Sequence, residues 1–273
     1  MHAGAPVAVA KDASPRLRAE NVSVSFAGLK AVNAVDFHLS IGEVVGLIGP
    51  NGSGKTSLLN VLSGVYKASS GDTYVGESRT TAKSANQIAQ LGVARTFQNI
   101  RLFSHLTVLN NVAVGASFRP EKPRGIAVEK AARETLDILG LSHIASASAG
   151  SLPYGVRRRV EIARALASKP SFLLLDEPAA GANAAESEEL SGLIEFIAES
   201  FRVGILIIEH DLRLMMRVSD RIVALTGGSV IAEGDADTIS RDQKVREAYF
   251  GKNWATRSAQ LSAPTNPTNQ GEK

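Results

Sequence analysis

The run Gly49-Pro50-Asn51-Gly52-Ser53-Gly54-Lys55-Thr56 fits G-x-x-x-x-G-K-[ST] and follows the apolar stretch Val44-Val45-Gly46-Leu47-Ile48. A tight turn between a buried strand and a helix points successive backbone N–H groups inward, and its glycines let that backbone close around a phosphate without Cβ clashes. This setting restricts the chain to an α/β fold built around a strand, a phosphate-binding loop and a helix. Lys55 is placed to reach the β- and γ-phosphates of a nucleotide, the Thr56 hydroxyl is the expected Mg²⁺ ligand, and the backbone from Gly49 through Ser57 forms the cradle. A helix starting near Gly54 adds the positive end of its dipole to the anion site.

The bulk composition neither narrows this further nor opposes it. With 273 residues the chain can bury a sizeable core, and 44% hydrophobic with 21% charged residues is ordinary for a globular protein. A formal net charge of +3 is too small and too evenly spread to argue for nucleic acid. The chain contains no cysteine, which excludes disulfides and thiolate metal sites and fits a reducing compartment. Its most hydrophobic run, Val203-Gly204-Ile205-Leu206-Ile207-Ile208, falls far short of the roughly 20 apolar residues a spanning helix needs. Residues 1–16 lack a basic segment ahead of their short alanine-valine run and read as a disordered leader, not a signal peptide. Residues 252–273 are mostly polar and read as a disordered tail, leaving 17–251 as the folded domain.

Alternation over residues 17–24 and 31–39 predicts two strands joined by a turn at Ala27-Gly28, ahead of the phosphate-loop strand. A helix over 55–63, a short strand over 73–75, a helix over 84–91 and a strand over 93–97 ending at Gln98 follow. Between about 99 and 168 the pattern becomes helical, with apolar residues at Leu109, Val112, Ala113, Leu136, Leu139 and Leu141, which predicts a helical subdomain. The charged, proline-rich run Arg119-Pro120-Glu121-Lys122-Pro123-Arg124-Gly125 breaks it and is expected to face solvent or a partner. From Ser171 onward strands and helices alternate (172–175, 185–201, 203–208, 211–218, 222–225), the rhythm of βαβ units and a largely parallel sheet. One phosphate loop and no internal repeat give one nucleotide site per chain.

The second chemistry-bearing run is Phe172-Leu173-Leu174-Leu175-Asp176-Glu177-Pro178, a buried strand that ends abruptly in two carboxylates. Asp176 suits Mg²⁺, which takes oxygen ligands and keeps several waters. Glu177, one residue on, is placed to orient or deprotonate the water that attacks the γ-phosphate.

These motifs together resemble the nucleotide-binding subunit of an ATP-binding cassette (ABC) transporter over nearly all of residues 17–251. The resemblance implies a RecA-like P-loop NTPase core with an antiparallel β subdomain and an inserted α-helical subdomain. It also implies roles for residues that would otherwise carry no signal. Gln98 in Arg95-Thr96-Phe97-Gln98 matches the Q-loop that touches Mg²⁺ and senses the transmembrane partner. His210 matches the switch histidine at the γ-phosphate, and Phe26 matches the ring under adenine, against the competing reading of core filler on an alternating strand. The signature that contacts ATP bound by the other subunit corresponds to Leu152-Pro153-Tyr154-Gly155-Val156, a departure from Leu-Ser-Gly-Gly-Gln. Proline supplies neither the serine hydroxyl nor a backbone N–H. The helix that follows, with Arg157-Arg158-Arg159, reads as a solvated basic face, not a nucleic-acid patch. The D-loop, Ala180-Gly181-Ala182-Asn183-Ala184, departs modestly.

Within the family the text is most similar to the first of the two ATPases of branched-chain amino-acid importers. That likeness rests on Ala94-Arg95-Thr96-Phe97-Gln98-Asn99-Ile100-Arg101-Leu102-Phe103, the run from Asp176 to Gly181, that from Ile207 to Met216, and Val245-Arg246-Glu247-Ala248-Tyr249-Phe250-Gly251. It implies a peripheral ATPase on the cytoplasmic face of the membrane, using ATP and Mg²⁺. Its expected partners are a second ATPase in a heterodimer, two transmembrane permeases and, indirectly, an extracytoplasmic solute-binding protein. The rival readings are a soluble ABC ATPase acting on nucleic acid or ribosomes, and a nucleotide-gated switch with little hydrolysis.

Overall fold

A computed structural model describes residues 16–250. The expected leader, apart from Arg16, and the expected tail lie outside the described residues. Strands β1 (Arg16–Phe26) and β2 (Leu29–Ser40) precede β3 (Val44–Ile48), and the phosphate loop carries β3 into α1 (Lys55–Leu62). Next come β4 (Ser70–Val75), β5 (Ser78–Arg79), α2 (Ala85–Gln90) and β6 (Val93–Arg95), then three helices, α3 (Val108–Ala116), α4 (Ile126–Ile138) and α5 (Tyr154–Leu166). The remainder is β7 (Phe172–Asp176), α6 (Ala184–Phe201), β8 (Gly204–Ile208), α7 (Leu212–Val218), β9 (Arg221–Thr226), β10 (Ser229–Gly234), α8 (Ala236–Arg241) and α9 (Gln243–Phe250).

Two sheets organise these elements. One is antiparallel, in the order β2-β1-β4-β5, and its first hairpin turns through Ala27 (φ 45°) and Gly28 (φ 89°). Positive φ at both central residues is what a two-residue hairpin turn needs to match strand twist. The other sheet runs β10-β9-β3-β8-β7-β6, parallel except for the antiparallel edge strand β10. β3, β7 and β8 are buried along their whole length, so they read as continuous apolar runs.

Alternation within those strands divides the core into two layers. Val44, Ile48, Leu173, Leu175, Ile205 and Ile207 face a layer with α3, α4, α5, α6 and α7. Val45, Leu47, Phe172, Leu174, Leu206 and Ile208 face the opposite layer, filled by α1 and the inner faces of β1 and β2. Each such aliphatic side chain contributes about 1.5–3 kcal/mol by burial, so the parallel sheet is clamped on both faces and the loops at its strand ends leave a rigid base.

Several elements differ from the sequence expectation. β10, α8 and α9 extend the fold beyond the last anticipated strand, and β6 stops at Arg95 instead of running to Phe97. The run 119–125 is exposed except at Arg119, which is buried, and Pro123, which is half-buried. Arg119 is 9% exposed and donates to the Ala167 and Ala131 carbonyls (2.8 and 3.1 Å). It ties α4 to the end of α5. The arginine run on α5 is likewise no uniform solvated face, because Arg158 is 2% exposed.

Candidate functional site

Four neighbouring strands, β3, β8, β7 and β6, run parallel in that order, so their carboxyl ends share one edge. The phosphate loop follows β3, the segment with His210 follows β8, Glu177 follows β7, and Gln98 lies just beyond β6. Ligands of open α/β sheets bind at this edge. The fold thus gathers residues as far apart in sequence as Lys55 and His210.

In the phosphate loop, glycines occupy positions a side chain could not. A Cβ on Gly49 (φ 149°) would lie 2.2 Å from the Leu225 carbonyl, and one on Gly54 (φ 103°) 2.2 Å from that of Ala31. Gly52 (φ 78°) meets nothing within 4 Å, so the space beside it is open. Lys55 is buried at the start of α1, and its Nζ donates to the carbonyls of Gly49 (2.7 Å) and Pro50 (3.1 Å). Burial pulls its pKa down, and the nearby carboxylates of Glu177 and Asp176 work the other way. The Ser53 hydroxyl is buried with no protein partner. Asn51 and Thr56 are exposed and Ser57 half-buried. A loop with a curled-back ammonium, an orphaned hydroxyl and an open glycine cradle fits a polyphosphate.

Glu177 adopts φ 47°, a left-handed conformation that costs a non-glycine residue roughly 1–3 kcal/mol. Its N–H donates to the Ile208 carbonyl (2.9 Å), which turns the chain sharply out of β7. The carboxylate is then held from two sides: Gln98 Nε2 donates to Oε2 (2.8 Å), and His210 Nε2 lies 2.9 Å from Oε1. Asp176 is 4% exposed and pairs with Arg95 at 2.9 Å. Asp176, the Thr56 hydroxyl and the Gln98 carbonyl oxygen are hard oxygen donors suited to Mg²⁺.

Phe26 is 45% exposed and packs edge-on against Tyr66, with ring centroids 5.3 Å apart. It is therefore not buried filler, and one face remains for a planar ligand. The segment Leu152 to Val156 opens α5. Pro153 is exposed at the N-cap of α5 and gives no side-chain cap, while Leu152 packs on the core. Tyr154 and Gly155 share a small cleft with Pro178, Ala182 and Glu186, beside the loop after β7.

Sequence reasoning missed the residues that hold this constellation. Arg95 donates to Asn60 (2.6 Å), Ser63 (2.9 Å) and Asp176, joining α1 to β7; burial pulls its pKa down and Asp176 pulls it back up. Glu209 accepts from the N–H groups of Ala179 and His210, tying the loop after β7 to the one after β8. Arg158 donates to the carbonyls of Phe97 and Gln98 (both 2.7 Å) and to Glu161 (2.7 Å). Tyr249 accepts the N–H of Gly49 at 2.7 Å. Their partners lie up to 200 residues away, so no local pattern marks them.

Fold and site together define a P-loop nucleotide-binding ATPase with an inserted helical layer. Residues 32–180 match the family described as ABC transporter, and residues 229–255 match the one described as branched-chain amino acid ATP-binding cassette transporter. Similar relatives include the high-affinity branched-chain amino acid transport ATP-binding protein LivG of Escherichia coli (strain K12), 39% identical over 87% of this chain and 98% of that one. BraF of Pseudomonas aeruginosa, with the same description, is 36% identical over 87% and 98%. Among solved structures, the ADP conformation of MJ1267, an ATP-binding cassette of an ABC transporter, superposes with a TM-score of 0.78 at 31% identity, covering 87% of this chain and 99% of that one. The chain belongs to the ABC transporter family, as an ATP-binding subunit with ATPase activity. None of the helices among its described residues is long and apolar enough to cross a membrane.

Proposed function

We propose that this chain is the peripheral ATPase of an importer for branched-chain amino acids or related small polar solutes, docked on two permeases at the cytoplasmic face. LivG and BraF carry that solute class in their descriptions, and the second family match covers this chain's last strand and helices. The observation that carries the catalytic reading is the Glu177 carboxylate, held between Gln98 and His210 at the strand edge that also bears the phosphate loop. Residues 49–57 bind the phosphates and Phe26 the base. Thr56, Asp176 and Gln98 hold Mg²⁺, which neutralises charge on the phosphate oxygens when bound. Glu177 takes the proton of the attacking water, His210 and Gln98 fix its carboxylate in position, and Lys55 offsets charge developing on the transferred phosphoryl group.

Residues 152–156 correspond to the family's signature, so in this reading they face ATP bound to another subunit. Pro153 offers that ATP neither hydroxyl nor N–H. A homodimer would leave both sites deficient, and a different partner ATPase completes the loop at Lys55. In that heterodimer the ATP on Lys55 is hydrolysed and the ATP facing Pro153 turns over slowly.

The test uses the purified complex. Glu177→Gln should retain ATP binding and slow turnover by about 10²–10⁴-fold, the range for loss of a general base. Near-normal turnover overturns the assignment.

A further inference from the structure

We infer that Tyr249, on the last helix of the described chain, is a positioning residue for the phosphate loop. The inference rests on the nucleotide-binding reading of residues 49–57. The parallel ladder between β3 and β9 reaches Ile48 opposite Ala224, so Gly49 is the first residue beyond it. At that point the chain must leave the sheet and begin the loop, and Gly49 is pressed so closely onto β9 that a Cβ would lie 2.2 Å from the Leu225 carbonyl. The Tyr249 hydroxyl takes the N–H of Gly49 at 2.7 Å. The loop's entry is thereby pinned from two directions, by β9 through contact and by α9 through a hydrogen bond.

The latch has a firm base. Val245 (6% exposed) on α9 and Ile239 (0%) on α8 sit in the same buried cluster as Val44 and Ile48 of β3, and the Tyr249 ring packs against it. Burial raises the phenol's pKa, so it stays neutral through the physiological range. The hydrogen bond uses only the donor at the root of the loop and takes none of the N–H groups of residues 54–57, where α1 begins. Tyr249 therefore acts on nucleotide affinity through the shape of the loop and touches no reacting atom. An element at the far end of the sequence becomes part of the ATP site, and anything that displaces α9 weakens nucleotide binding.

The test is calorimetric titration of full-length protein with ADP and Mg²⁺. Tyr249→Phe keeps the ring and removes the hydroxyl that accepts from Gly49. It should weaken binding by up to about five- to tenfold, the worth of one hydrogen bond, and lower the nucleotide-free melting temperature by only about 2–4 °C. In the assembled transporter KM for ATP should rise by a similar factor while kcat holds. Val245→Ala trims a buried side chain at the base of the helix and leaves the Tyr249 hydroxyl in place, so it should lower the melting temperature further while weakening affinity less than Tyr249→Phe does. Unchanged affinity in Tyr249→Phe, or an equal loss in Val245→Ala, overturns the inference. Should Tyr249→Phe fail to fold, hydrogen exchange on the nucleotide-free native protein decides: the Gly49 amide must exchange slowly, and fast exchange overturns the latch. Lys55→Ala separates the two levels. If it leaves ADP binding intact, the reading of the loop fails; if it abolishes binding while Tyr249→Phe is silent, only the latch fails.

Discussion

The phosphate-loop half of the molecule and the signature half are held by different means. The first is built from backbone: glycines at positive φ, strand ends in register and carboxylates placed by the parallel sheet. The second is one helix, α5, whose tie to the site is a buried ion pair, Arg158 with Glu161. That pair does more than join two turns of α5. Arg158 holds the Phe97 and Gln98 carbonyls, and Glu161 Oε1 accepts the N–H of Arg101 at 2.9 Å. Gln98 in turn grips Glu177. The signature helix and the proposed base are therefore linked by side chains through the 97–101 loop, whereas the phosphate loop is fixed directly by the sheet. A change in the first half should act on its own residue, and a change in the second should spread.

The largest effect that sharpens this contrast is expected from Arg158→Ala. It takes from the 1%-exposed Glu161 carboxylate its close cation at 2.7 Å and leaves only Arg164 at 3.8 Å, and breaking a buried pair from one side costs on the order of 3–5 kcal/mol. Chemical denaturation measures it. Arg157→Ala, at the half-exposed neighbour, should stay within about 0.5 kcal/mol. Equal losses in the two variants would mean that the helix is held by its apolar face alone and that Arg158 links nothing.

A smaller loss is expected at Glu209, in the first half. Its two oxygens accept from Ala179 and His210, and Glu209→Gln turns an amide N–H group toward one of those donors. The cost should be about 1–3 kcal/mol, read by denaturation near neutral pH. Burial raises the Glu209 pKa, with the two backbone N–H groups acting in the opposite direction. The folded state then holds its proton to higher pH than the unfolded chain does. Its contribution is fully present below the unfolded-state pKa and is lost as pH rises through the folded value. Glu209→Gln removes the titrating group, so stability should fall less steeply with rising pH above the ordinary carboxylate range. An unchanged slope would mean the carboxylate stays ionised throughout.

How much of this was legible in the sequence follows the range of the interactions. The phosphate loop, the Asp176-Glu177 strand end and the βαβ rhythm are written in contiguous residues, and the fold assembles them at one edge. β10 also had a local signal: Gly227 and Gly228, at φ 56° and 81°, form the two-residue turn that a Gly-Gly pair favours. Arg119 and Arg158 were misread because charge density in a short window says nothing of burial, which depends on carbonyls supplied by other helices and loops. Arg95, Glu209 and Tyr249 lay beyond reach for the same reason. Each depends on at least one partner 30 to 200 residues away.

The smallest effect tests the asymmetry between the two composite sites. Pro153 occupies the N-cap of α5 with φ −55° and ψ 155°, and no side chain caps the helix there. Those angles are open to serine, the residue N-caps favour, so Pro153→Ser fits the existing backbone and restores both an N–H and a hydroxyl. In the proposed heterodimer, Lys55→Ala would leave only the partner's phosphate loop, the one facing residue 153, competent. Adding Pro153→Ser to that background should raise the residual ATPase rate about five- to tenfold, one hydrogen bond's worth of transition-state stabilisation. The melting temperature should hold or rise slightly, since an N-cap is gained. An unchanged rate would mean that the proline is not what slows the second site, and the contrast would then rest on the way α5 is held.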